Sequence, residues 1–428
     1  MNTTTLNTLT LETTTTSLRP AICKRTFFAL VILAQLLFVA SIANAQPYQI
    51  INTQNSIVGD DLSKTVTTVQ EGNNPLDRFL MTKVMKPLPN DVIKAAIIMA
   101  PPLGSGFQNY EAGENGDYNN SFVAFFARRN FLVVGYSPRV QGLTAGSCES
   151  GAIDCSPMAD WGLQTMVDDV EFIRQQIAGE YPGLKIVIGG LSNGSIIAQA
   201  SLNARPNDYA GAILIEGTLY DTDANVRAIN QNFCNTFNAM LAGGVYYDGQ
   251  SGPGIKALSQ LAQIAPNAPS MVPGFPPGLT NHQVFVLALS APPLSPLTPR
   301  PGYFNVAGSF VEDRFFFANE SLSHATLATF LDYATIKSLS DLSCGLAGDT
   351  TFTNNLDDFS GPVIMFVAGH GFGSAMFDTA QLMTSADVTI NYKEQYGHVD
   401  YMFSTKHLQQ LEHPILNWLT QAVVTQSN

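Results

Sequence analysis

Gly190-Leu191-Ser192-Asn193-Gly194 is the segment whose residue types and spacing point most directly to chemistry. It fits G-x-S-x-G, a pattern too short to be specific by itself. Its context is specific. The run Lys185-Ile186-Val187-Ile188-Gly189-Gly190 reads as a strand, and Gly194-Ser195-Ile196-Ile197-Ala198-Gln199-Ala200 opens a helix of small residues. Glycines on both sides of the serine permit the strained strand-to-helix turn that lifts a hydroxyl above a sheet.

A serine hydroxyl needs a base to take its proton. Among six histidines, His398 in Tyr396-Gly397-His398-Val399-Asp400 follows the last predicted strand and precedes the final helix. In a parallel sheet that loop opens on the same side as Ser192. His370 also follows a strand and is the rival base. His407 and His413 fall in the final helix, and His282 and His324 lie outside the strand–helix pattern, where packing roles suit them. The imidazole in turn needs a carboxylate to fix its tautomer. Asp378, after strand 362–369 and the loop His370–Phe377, is the first choice, with Asp221 or Glu216 after the preceding strand as alternatives. Asp400 reads as a local loop contact. Asp168, Asp169 and Glu171 are expected on the solvated face of a helix. A tetrahedral intermediate would need N–H donors for its oxyanion. Asn193 is one candidate, and Leu103 or Gly104 in Pro101-Pro102-Leu103-Gly104-Ser105-Gly106 is the other.

The elements that must position these residues alternate. After a β-rich opening (64–70 and 78–85) come apolar strand runs at 94–100, 131–137, 185–190 and 210–218, then 362–369 and 388–393. Helices fall between them; one carries Leu163, Met166, Val167, Val170, Ile173 and Ile177 at i, i+3, i+4, i+7 spacing. Alternation with continuous apolar strands predicts a parallel sheet covered on both faces. Residues 221–360 break the alternation and hold ten prolines between Pro266 and Pro301. A loop of that size does not stay structureless in a compact domain, so a largely helical, Pro-rich cap or lid is expected there.

Composition narrows the classes. The 428 residues carry a formal charge of −13 with 45% hydrophobic and 13% charged residues, which excludes a disordered chain and argues against nucleic-acid binding. Basic Arg19, Lys24 and Arg25 precede the apolar run Phe27–Ala45, which ends Ala43-Asn44-Ala45, so a cleaved signal segment over 1–45 is expected. The product would then be periplasmic or secreted, without a stable membrane anchor. Cys148, Cys155, Cys234 and Cys344 remain after cleavage, and Cys148–Cys155 with Cys234–Cys344 is the favoured pairing of three. No cysteine or histidine spacing suggests zinc.

The Ser192 elbow and the ending Gly397-His398-Val399-Asp400 before a last helix resemble the α/β-hydrolase superfamily, on its serine esterase and lipase side. The resemblance covers most of 64–220 and 361–428. It implies an α/β fold with an eight-stranded, mostly parallel sheet, a triad of Ser192, His398 and an acid in the order Ser…Asp…His, and no cofactor or metal. The organisation expected is 1–45 signal with low-complexity leader, 46–220 first part of the core, 221–360 cap, and 361–428 second part. The activity implied is cleavage of small-molecule or lipid carboxylic esters through an acyl-serine. A peptidase or amidase on the same scaffold, or a silent binding protein, are the alternatives. The phenylalanines of the insertion (Phe275, Phe285, Phe304, Phe315, Phe316, Phe317) would suit an acyl or aromatic ester group.

Overall fold

The structure, a computed structural model, describes residues 48–425 apart from 88, 90, 91, 292–299 and 309–312. The signal segment expected over 1–45 and part of the Pro-rich stretch lie outside the described residues.

Nine strands form one sheet: β1 (Tyr48–Val58), β2 (Leu62–Glu71), β3 (Arg78–Met85), β4 (Ala96–Ala100), β5 (Leu132–Ser137), β6 (Ile186–Leu191), β7 (Gly211–Ile215), β8 (Pro362–Ala368) and β9 (Asp387–Lys393). Their spatial order is β1-β2-β3-β5-β4-β6-β7-β8-β9. The pairs β1/β2, β2/β3 and β3/β5 are antiparallel and the other five are parallel. The sheet has one strand more than the expected eight. The extra one is β1, an almost wholly exposed edge strand of mixed polar and apolar residues that lacks the alternation by which a half-buried strand is read.

Every residue of β4, β5, β6, β7 and β8 is buried, as their continuous apolar runs require. Successive side chains point to opposite faces. Ile97, Met99 and Val187 thus join one core layer with Phe122, Phe126 and Trp418, whereas Ile98, Val134 and Ile188 join the other with Val170, Ile173 and Ile197. Helix α1 (Phe122–Ala127) serves the first layer; α2 (Leu163–Glu180) and α3 (Asn193–Ala204) serve the second.

The described residues of 221–360 include the helices α4 (Ala224–Ala242), α5 (Ser251–Ile264), α6 (Asn281–Ser290), α7 (Glu320–Leu327) and α8 (Ile336–Ala347). Cys234–Cys344 ties α4 to α8, and Cys148–Cys155 closes a short loop after β5. Helix α8 also gives Leu342 and Leu346 to the layer beneath the sheet. The described residues from Tyr48 onward cluster as one compact unit. After β8 come α9 (Ser374–Leu382), β9, and a C-terminal helical segment over 408–424.

Candidate active site

Ser192 follows β6 directly and caps α3 with φ 58° and ψ −122°. A non-glycine residue held there stores about 1–3 kcal/mol of strain that the surroundings must over-determine. They do so through close packing. A Cβ on Gly190 would strike Gly194 and the Ala100 carbonyl, and one on Gly194 would strike Ala100 as well. The Ser192 N–H continues the sheet by donating to Ile215 O at 2.8 Å. Tyr110 braces the strand ends: its hydroxyl donates to Ala100 O and accepts from Leu191 N–H, both at 2.7 Å. Burial pushes the Tyr110 pKa up, which keeps it a neutral donor.

Above this elbow, Ser192 Oγ and His398 Nε2 are 2.8 Å apart. On the other side of the ring, His398 Nδ1 faces Glu216 Oε2 at 3.3 Å. Glu216 stands at the end of β7, also with positive φ (47°). Its carboxylate is wholly buried and accepts N–H groups from Ala368 (2.6 Å) and Phe372 (2.9 Å). A Cβ at Gly371 would collide with that carboxylate, so the glycine lets the loop after β8 close over the acid of the neighbouring strand. Ser192 and His398 are only 6% and 1% exposed. The rings of Phe372 and Phe304 flank the imidazole at 5.3 and 5.9 Å.

No protein-family model matches the sequence, and no curated protein matches it. Solved structures do. A lipase candidate from Sulfolobus solfataricus superposes with a TM-score of 0.61 at 20% identity, covering 88% of this chain and 99% of that one. A thermostable carboxylesterase from Bacillus coagulans gives 0.47 at 13% identity, over 88% and 99%. The fold is that of the α/β-hydrolases.

Within this α/β-hydrolase fold the expected residues sort clearly. Ser192, His398 and the alternative acid Glu216 come together; Asp378, the first-choice acid, does not. It sits one turn into α9, where its carboxylate accepts the N–H (3.0 Å) and hydroxyl (2.6 Å) of Thr222. A helix begins at Ser374, so it carries Asp378 away from the strand end. Asp221 is engaged in a buried ion pair with Arg300. His370 is exposed and meets Tyr303, not Ser192. His282 pairs with Asp313 and Glu320, His324 with Ser259, and His407 with Glu412.

Asn193 opens α3, whose first N–H groups have no intrahelical partner. Leu103 and Gly104 lie in the loop after β4, where Gly104 has φ +69° and its carbonyl accepts Leu331 N–H at 2.7 Å. Leu103, Gly104 and Asn193 line one narrow, mainly apolar cavity of about 30 Å³ with Trp161, Met166 and Tyr333. Of the six phenylalanines singled out in the insertion, Phe304 reaches the imidazole; Phe285 and Phe315 pack each other. Among the described residues there is no cluster of three or more metal-ligating side chains, and no helix is long and apolar enough to cross a membrane.

Glu216 was legible only as an alternative, because it ends the apolar run Gly211–Ile215 and reads as part of the strand. The available signal was a carboxylate closing a buried strand and followed by glycine.

Proposed function

We propose that this chain is an exported serine hydrolase that cleaves carboxylic esters through an acyl-Ser192 intermediate. The observation that carries the reading is the 2.8 Å approach of Ser192 Oγ to His398 Nε2, on a strained elbow, with Glu216 behind the ring. Ser192 Oγ attacks the ester carbonyl carbon while His398 Nε2 takes its proton. Glu216 holds the Nδ1–H tautomer and stabilises the imidazolium. The N–H of Asn193, with that of Leu103 or Gly104, donates to the oxyanion. Collapse expels the alcohol, which receives the proton from His398. Water then repeats the sequence: His398 accepts its proton, hydroxyl attacks the acyl carbon, and Ser192 leaves reprotonated.

The two disulfides suit an oxidising compartment and so accord with export. The helical insertion over 221–360 acts as the cap that covers Ser192, and small-molecule or lipid esters are the substrate class.

The test is hydrolysis of p-nitrophenyl esters from acetate to palmitate, with Ser192→Ala alongside. Turnover by the parent and none by the variant is expected, and the preferred chain length separates esterase from lipase. A parent inert on every ester but active on aminoacyl anilides would replace the esterase with a peptidase.

A further inference from the structure

The loop that carries His398 is held on its outer side by the insertion. Tyr303 O accepts the His398 N–H at 2.8 Å, and Phe304 O accepts the Val399 N–H at 2.9 Å. Just beyond, the Asp400 carboxylate gathers three donors: Asn305 Nδ2 at 2.9 Å, Val306 N–H at 3.1 Å and Gly397 N–H at 2.6 Å. Asp400 and Asn305 are wholly buried. The strap formed by 303–306 is fixed elsewhere as well. Tyr303 N–H donates to His370 O and Asn305 N–H to Leu289 O, each at 2.8 Å. A Cβ at Gly397 would press on Tyr303 O and Phe304 O at 3.0–3.1 Å, so glycine there admits the strap. On its inner side the same loop is tied to the core through His370 N–H to Tyr396 O at 2.9 Å.

We infer that the strap Tyr303–Val306, clipped by Asp400 through Asn305, positions His398 against Ser192, so that the insertion completes the catalytic centre as well as covering it. The inference rests on the reading of Ser192, His398 and Glu216 as the catalytic groups. Asp400 and Asn305 act through the loop; neither touches the reacting atoms. A carboxylate suits the place because all three groups facing it are N–H donors, and an amide would turn its own NH₂ toward one of them. Displacing a catalytic group by about 1 Å costs roughly 10²-fold in rate.

The experiment uses the full chain with Asn305→Leu and Asp400→Asn, plus His282→Asn, which breaks the pairings with Asp313 and Glu320 elsewhere in the insertion. Three quantities are read: kcat and KM on p-nitrophenyl butyrate, the rate at which a fluorophosphonate labels Ser192, and the melting temperature. Asn305→Leu and Asp400→Asn are expected to lower kcat about 10–100-fold with KM within about threefold, and to slow labelling in parallel. His282→Asn should melt earlier yet keep the parent kcat. Strap variants that retain kcat within twofold while folded overturn the inference and leave the hydrolase reading standing. An equal loss of kcat in His282→Asn also overturns it, because general loosening of the insertion would then suffice. A parent that neither turns over esters nor labels overturns the hydrolase reading and this inference with it.

Discussion

Asp169 and Glu216 are both wholly buried carboxylates, each at a strand end or beneath one, and each is answered by a nitrogen-bearing side chain. Asp169 on α2 receives Arg139 (2.7 and 3.2 Å), the Tyr136 hydroxyl (3.1 Å) and the Tyr48 hydroxyl (3.2 Å). Arg139 extends the cluster to Glu71 at 2.5 Å and Asp77 at 3.1 Å. Its charge is permanent and all three of its nitrogens donate to carboxylates, so the cluster closes on itself and pins the antiparallel edge of the sheet to α2. Glu216 is satisfied instead by two backbone N–H groups and an imidazole. The far nitrogen of that imidazole faces a hydroxyl on a strained turn. Burial of a carboxylate therefore does not by itself set a site apart; Glu216 differs in that the imidazole it meets also faces a hydroxyl.

The comparison breaks most sharply at the serine. Ser192→Ala should abolish ester turnover, by about 10⁴-fold or more, without lowering the melting temperature. Glu216→Gln should follow, with kcat down about 10²–10⁴-fold and the protein still folded, because the amide cannot stabilise the imidazolium. At the other cluster the effects exchange places. Arg139→Met leaves Asp169 buried without its cation, and the urea midpoint should reveal a loss of about 3–5 kcal/mol, with activity per folded molecule unchanged. Activity lost in proportion beyond the unfolded fraction would show that the two clusters are coupled.

Titration sharpens the same contrast. Burial, opposed by Arg139, pushes the Asp169 carboxyl up to about 6. The unfolded value is about 3.9. A folded value above the unfolded one means a contribution that is fully present below about pH 4 and lost as pH rises through about 6. Asp169 should therefore make the melting temperature fall between about pH 4 and 6, and Asp169→Asn should flatten that slope. An unchanged slope in the variant would assign the dependence to other groups. The smallest effect belongs to Asp378→Asn, which loses contacts to Thr222 alone and should keep kcat within about twofold. A drop of 10²-fold there would return the acid to Asp378.

Much of this was readable along the chain. The five buried central strands announce themselves as unbroken apolar runs, and the two disulfides join the cysteines favoured from spacing and loop position. Edge strand β1 was missed because both its faces are wet. Asp169 was misplaced because Asp168, Asp169 and Glu171 look like one polar face. Position 169 in fact stands three residues after Met166 and four before Ile173, both buried, so the helix turns it inward. The insertion was expected as a covering domain, and its fastening to the His398 loop through Tyr303, Phe304 and Asn305 had no local signature.

What the sequence determined by itself is therefore what neighbouring residues dictate through sterics and burial. The elbow at Ser192 follows from glycines that admit close backbone approach. The parallel sheet follows from apolar runs spaced by helices, and the place of His398 from the loop after the last strand. What only the tertiary structure decided is which distant groups meet. Ser192 and His398 are 206 residues apart, and Glu216 is 182 residues from His398. Several carboxylates lie near strand ends in sequence, and the choice among them depends on how one loop closes over its neighbour. That closure is set by Gly371, by the positive φ of Glu216, and by a helix that begins early enough to carry Asp378 away.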